Sequence, residues 1–303
     1  MADRAEPKPA SLPLPGGRDG ATVRVHPLYC GEGRWPDAWP HRREGALAKL
    51  HALGFREPRS DWVPFPFVAY LVEHPTAGPF LIDTGIHASV ADDPRENLGG
   101  LLSMGAAKPT AFEPKDAVPA QLDERGLTAA DVGLVVMTHL HYDHTSGASQ
   151  LAHATFVVNE REWQAARRPG SLLRGYARPH FDHPYDWRTV DFDGPGVDSH
   201  STFGRALDLF GDGSVRLLAT PGHTPGHMSV LMRTGSREVL AVGDAAYTRR
   251  ALRTGQLPAF TDDDHLFRRS LREIQLYARQ TPEALLIPGH DMVAWRELEP
   301  VYG

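Results

Sequence analysis

The stretch Gly133-Leu134-Val135-Val136-Met137-Thr138-His139-Leu140-His141-Tyr142-Asp143-His144 decides how the rest of the chain is read. Its first five residues form a short apolar run, the pattern of a strand buried on both faces. The run gives way to three imidazoles and one carboxylate, His139, His141, Asp143 and His144. Imidazole and carboxylate groups both ligate zinc and similar divalent ions. Four such groups this close crowd a single ion, and two adjacent ions relieve the crowding. A His-rich polar loop is the plain alternative. It makes no demand on the rest of the chain, whereas a metal centre needs further ligands elsewhere.

Candidates for those ligands are present. Thr220-Pro221-Gly222-His223-Thr224-Pro225-Gly226-His227 follows an apolar run at 215–219, and its Pro and Gly residues force a tight turn that can present His223. Val242-Gly243-Asp244 closes another run, and Pro288-Gly289-His290-Asp291 follows the last one, at 284–287. Asp83-Thr84-Gly85 ends residues 79–82, which read as a strand paired through a turn with 65–72. Open α/β sheets collect their sites at the carboxyl ends of strands.

The H-x-H-x-D-H pattern, the later lone His223, the strand-end Asp244 and the closing Gly289-His290 resemble the metallo-β-lactamase superfamily. The resemblance spans about residues 22–300 and includes Phe80-Leu81-Ile82-Asp83-Thr84-Gly85. It implies an α/β fold, an αβ/βα sandwich of two mixed β-sheets flanked by helices, with the site at one edge. Matched position by position, it implies His139, His141 and His223 on one ion and Asp143, His144 and His290 on the other, with Asp244 bridging. The cofactor it implies is a pair of divalent ions, Zn2+ first, with Mn, Fe, Co or Ni as alternatives. Asp83 and His227 are expected beside the ligands rather than among them.

Tyr247 stands three residues after Asp244. This Asp-x-x-Tyr, with Gly289-His290-Asp291 and the strand at 64–72, resembles the N-acyl-homoserine lactonases. The function implied is ring opening of an N-acyl-homoserine lactone, as in quorum quenching, by a hydroxide bridging two ions. The Tyr247 hydroxyl would stabilise the developing oxyanion, and Asp143 would carry a proton to the leaving alkoxide. The alternative is another lactonase or esterase, or a thioester hydrolase resembling glyoxalase II, which shares H-x-H-x-D-H but does not require Asp-x-x-Tyr.

Composition bounds the remaining choices. The chain has 303 residues, 41% hydrophobic and 23% charged, with a formal charge of −6. That acidity argues against a nucleic-acid partner, and no apolar run is long enough for a membrane span. The Pro-rich start lacks an apolar signal core, and the lone Cys30 forms no internal disulfide. A cytoplasmic location is therefore expected. Residues 1–20 read as a flexible Pro/Gly-rich tail and 21–303 as one hydrolase domain, with pocket-forming insertions near 86–120 and 168–206. The first insertion reads equally as a lid or as a homodimer contact. Residues 21–28 read as a strand, and 115–125 and 261–279 as helices. Asn159 with Glu162 reads as a capping box. The expected partner is a small lactone with an acyl chain. Its apolar groove could draw on Phe65, Phe67, Leu101, Leu102, Met104, Phe112, Tyr176, Phe181 or Trp187, most of which are expected in the core instead.

Overall fold

A computed structural model describes residues 4–98 and 110–303. In chain order, β1 (Lys8–Pro9), β2 (Arg24–Pro36), β3 (Trp62–His74), β4 (Gly78–Ile82), β5 (Leu134–Val136), β6 (Thr155–Asn159) and β7 (Asp186–Val190) build one sheet, in the order β1-β7-β6-β5-β4-β3-β2. Next, β8 (Asp198–His200), β9 (Phe203–Asp208), β10 (Val215–Ala219), β11 (Met228–Arg233), β12 (Glu238–Gly243) and β13 (Leu285–Pro288) build a second sheet, ordered β13-β12-β11-β10-β9-β8. Both sheets are mixed. β2, β3 and β4 run antiparallel, whereas β4, β5, β6, β7 and β1 pair in parallel. The second sheet is antiparallel except at its β12–β13 edge.

The period-two alternation of strand side chains divides the core. Tyr70, Val72, Phe80, Ile82, Val136 and Val157 face the second sheet and meet Leu217, Val230, Met232, Val239, Ala241 and Ile287. Leu71, Leu81, Val135 and Phe156 point the other way and are covered by helical segments that carry Leu122, Leu151 and Trp163. On the far side of the second sheet, the helix Asp264–Gln280 buries Phe267, Leu271 and Ile274 against Leu218, Leu231 and Leu240. Full burial of each such side chain contributes about 1.5–3 kcal/mol. The layers are therefore helix, sheet, sheet, helix. No helix among the described residues is long and apolar enough to cross a membrane.

Several expectations need correction. Residues 4–20 are not a loose tail. β1 adds to the β7 edge, Ala10 N–H donates to Thr189 O, and Leu14 N–H donates to Leu209 O. Ala5 is fully buried, and Leu12 and Leu14 pack on the inter-sheet core. An open strand edge and an apolar rim offer the Pro-rich segment partners that its own composition does not reveal. The strand expected at 21–28 runs instead from Arg24 to Pro36, because its pairing with β3 carries through a register shift between Tyr29 and Glu32. Residues 115–125 form a 3-10 turn, Pro114–Asp116, and a short helix, Val118–Asp123. The later helix begins at Asp264, where the Asp263 carboxylate accepts from His265 and Leu266 N–H. The 168–206 segment is more regular than its composition suggests, since it supplies β7 and β8 and begins β9. Within 86–120, residues 99–109 lie outside the described residues, and with them the expected groove residues Leu101, Leu102 and Met104.

Candidate metal centre

Four strands of the two sheets end at one edge and deliver the polar side chains. The chain leaves β5 through Thr138–His141 and enters the helical turn Tyr142–Thr145, which presents Asp143 and His144. The turn after β10 brings His223, the end of β12 brings Asp244, and the end of β13 brings His290. Their ligand atoms fall into two groups: His139, His141, His223 and Asp244, and Asp143, His144 and His290. Within each group these atoms lie within 4.8 Å of one another.

Asp244 faces both groups. Its Oδ2 is 3.1 Å from His223 Nε2 and 3.7 Å from His139 Nε2. Its Oδ1 is 3.0 Å from His290 Nε2 and 3.7 Å from His144 Nε2. Asp143 Oδ2 lies 3.6 Å from His144 Nε2 and 3.7 Å from His290 Nε2. His141 Nδ1 and His223 Nε2 approach to 2.9 Å.

Hydrogen bonds at the outer ring nitrogens set the tautomers. Asp83 Oδ2 accepts from His144 Nδ1 at 2.7 Å, and Asp83 also accepts from Thr138 N–H and Oγ1–H. With its own proton given to Asp83, the Thr138 oxygen accepts from His139 Nδ1 at 3.1 Å. Pro66 O accepts from His290 Nδ1 at 2.9 Å. Each of these rings therefore turns its Nε2 inward. Among the described residues, His139 Nε2 and His144 Nε2 are buried and have no hydrogen-bonding partner. Buried polar atoms are nearly always satisfied, so converging orphan donor atoms of metal-ligand type fit a pair of divalent ions.

The electrostatics agree. Burial, reinforced by neighbouring imidazoles, holds His139 and His141 well below the ordinary imidazole value, so both stay neutral. Against the same burial, His290, His223 and His139 hold Asp244 well below the carboxylate range. Burial also opposes charge on His144, yet Asp143 and Asp83 raise it to about 10. That proton marks where the cluster's negative charge calls for a cation.

His227 lies outside both groups. Its Nε2 accepts from Asp244 N–H at 2.9 Å, and its Nδ1 bonds to Thr220 Oγ1 at 2.9 Å. Tyr247 is buried with its hydroxyl 3.3 Å from His223 Nδ1. Burial and the charges of Asp244 and Asp143 push the phenol well above its usual value, so it stays protonated.

A cavity of about 560 Å³ opens above these groups. Phe65 and Tyr176 line it, and Trp35, Trp39, Leu53, Leu172, Leu173 and Phe260 add apolar wall that the sequence did not single out. Phe67, Phe181 and Trp187 are core residues, as expected for most of the set, and Phe112 packs against that core. Gly175 comes so close that a Cβ there would stand 3.0 Å from the His141 ring, and its φ of +94° suits glycine. Sequence reasoning also missed Glu162, whose carboxylate does not cap Asn159 but accepts from Leu140 and Gly226 N–H. The pairing of Asn159 with Glu162 resembled a local cap, and nothing in the spacing pointed to the distant loops.

Residues 63–290 match the family profile described as Metallo-beta-lactamase superfamily. The chain belongs to this superfamily. Among its relatives, "N-acyl homoserine lactonase AttM" of Azorhizobium caulinodans is 35% identical over 267 residues, covering 86% of this chain and 95% of that protein. An "N-acyl homoserine lactonase" of Bacillus cereus is 28% identical over 233 residues, covering 75% and 82%. The fold resembles that of a solved N-acyl homoserine lactone hydrolase with the product N-hexanoyl-L-homoserine bound at its catalytic metal centre. There the TM-score is 0.71 at 20% identity, with 92% of this chain and 97% of the other covered. The metallo-beta-lactamase architecture thus accounts for both sheets and for the edge at which the ligand-type side chains meet.

Proposed function

We propose that the chain is a dinuclear-metal hydrolase that opens the ring of N-acyl homoserine lactones. The observation that carries the reading is Asp244 with one oxygen toward each ligand group, beneath an apolar cavity that Tyr247 borders. His139, His141 and His223 would hold one ion and Asp143, His144 and His290 the other, with Asp244 placed to serve both. We take the ions as zinc, which suits imidazole and carboxylate donors. A bound pair of such ions supplies Lewis acidity toward a carbonyl oxygen and a water-derived nucleophile at neutral pH.

The chain's own groups do the rest. With His223 Nε2 turned to the cluster, its Nδ1–H donates to the Tyr247 oxygen. The Tyr247 O–H is then left to donate to the lactone carbonyl oxygen as negative charge develops there. Asp143 carries a proton to the ring oxygen as it leaves, and the product is a hydroxy acid. Trp35, Trp39, Phe65 and Phe260 form an apolar wall suited to the acyl chain. A cytoplasmic location and a homodimer complete the proposal.

The test is ring opening of short- and long-chain N-acyl homoserine lactones, read by proton release, with a glutathione thioester and a simple γ-lactone in parallel. Opening that vanishes with chelator and returns with zinc supports the reading. Thioester turnover with inert lactones replaces it with a glyoxalase II-like activity and leaves Tyr247 without a role.

A further inference from the structure

Glu162 lies in the helix Glu160–Ala166, whose first turn is capped by Asn159 accepting from Arg161 N–H. Its neighbours Trp163, Ala165 and Ala166 are also buried, so this face of the helix is covered without a charged group. Glu162 is nevertheless fully buried. A carboxylate is a poor packing group in a dry interior unless its oxygens are satisfied. Here they are satisfied by two loops far apart in sequence. Oε1 accepts from Leu140 N–H and Oε2 from Gly226 N–H, both at 3.0 Å. Burial pushes the carboxyl up, and the Thr224 hydroxyl and these two amides oppose that shift.

The two amides are in telling places. Leu140 lies between His139 and His141, and Gly226 lies between His223 and His227. The second loop is pressed hard against the helix, since a Cβ on Gly226 would fall 2.2 Å from Glu162 N. His227, next along, accepts from Asp244 N–H. One carboxylate therefore connects, within a few bonds, to every member of the His139, His141, His223 and Asp244 group. The other group has supports that Glu162 does not touch, Asp83 for His144 and Pro66 O for His290, although Asp83 also reaches His139 through Thr138.

We propose that Glu162 is a positioning residue that fixes the spacing of the two loops carrying His139, His141 and His223, and so governs metal affinity chiefly at that group. The inference rests on the dinuclear-metal reading and adds the side chain that separates one site's affinity from the other's. Glu162→Gln keeps the volume but offers one acceptor oxygen where two N–H groups need one each. Glu162→Asp keeps the charge and shortens the reach.

The test is a Co2+ titration of the metal-free full-length protein, followed by visible absorption and by chelator competition. Far-UV circular dichroism and thermal unfolding check the fold of each variant before metal is added. Loss of an outer-shell partner lowers metal affinity about 10–100-fold. Glu162→Gln should therefore weaken one equivalent of Co2+ by that factor, change its absorption band, and weaken the second equivalent far less. Glu162→Asp should behave alike, and whichever variant retains the parental fold decides the matter. Two equivalents bound with parental affinity and spectrum overturn the inference, as does equal weakening of both. A parent protein that takes up no Co2+ at all removes the metal-centre reading itself, which is a different failure.

Discussion

At the floor of the cavity, Asp83, Thr138, Pro66 and His227 hold the ligand-type side chains through hydrogen bonds, and nearly every polar group there is buried. At its mouth, Leu53 and Leu173 stand 63% and 77% exposed, and the Arg174–Asp262 ion pair joins two rim segments at 2.7 Å. The floor is held from several elements at once, so small displacements there break several interactions together. The mouth is held by few contacts, so its residues can change singly. Chemistry is thereby assigned to the rigid region and substrate choice to the adaptable one, and the contrast can be tested from both ends.

The largest effect is expected at the floor. Asp244→Asn neutralises the one side chain shared by both groups, and we expect lactone opening to fall on the order of 10³-fold or more, with metal content dropping in parallel. Parental turnover with both ions retained would break the comparison at its strongest point. Tyr247→Phe comes next. Loss of one oxyanion donor lowers the rate roughly 10²–10³-fold, so kcat should fall by at least tenfold while metal content holds. An unchanged kcat removes Tyr247 from the chemistry.

His180 sharpens the boundary between the two regions. Its ring bonds Thr145 Oγ1 on the floor side and Asn97 O in the segment that leads toward residues 99–109. Burial lowers its pKa from 6.5 to about 4. Below pH 6.5 the unfolded chain takes up a proton that the folded protein refuses until about pH 4. The stability contribution is thus full above 6.5 and lost as pH falls through that window. Metal-free protein should lose roughly 2–4 kcal/mol on this account. Urea midpoints measured from pH 7 to pH 4 should show a shallower decline for His180→Gln, and parallel curves would refute the assignment.

How far the sequence could be read follows the same division. The floor was legible because the ligand-type residues follow short apolar runs, His139 through Thr138 alone and His223, Asp244 and His290 after Gly- or Pro-bearing turns. Strand-end position and donor chemistry then point the same way for His139, His223, Asp244 and His290. The mouth was not, because Trp35, Leu53, Leu173 and Phe260 come from separate segments that converge only in three dimensions. An aromatic residue in a strand also reads alike whether it faces a core or a cavity. Phe65 lines the cavity, and Phe67, two residues along β3, is core. The docked residues 4–20 were misread for a related reason. Their partners, the β7 edge and Leu209, belong to distant parts of the chain.

Smaller effects belong to the mouth. Leu53→Ser and Leu173→Ser should each raise KM for a long-chain lactone by about three- to tenfold, on the scale of about 0.8 kcal/mol per methylene kept from water. KM for a short-chain lactone and kcat for both should stay near parental values. Equal losses on both substrates would show that the acyl chain does not reach these leucines. Arg174→Ala should do least. Exposed ion pairs contribute about 0–1 kcal/mol, so a change of at most about fivefold is expected, shrinking further in 0.5 M salt. A large, salt-independent loss would move Arg174 from the rim into direct substrate recognition.

β13 pairs in parallel with β12 and carries the chain into His290. This places a constraint on biosynthesis. The ligand-type residues are read out by the ribosome from His139 onward, yet the group of Asp143, His144 and His290 has only two of its members until translation passes the last strand. A stalled nascent chain can display the H-x-H-x-D-H segment but cannot close this group around an ion. On the proposed reading, metal capture at full stoichiometry would follow completion of the second sheet, and an interrupted chain would lack the contact that His290 supplies to this group.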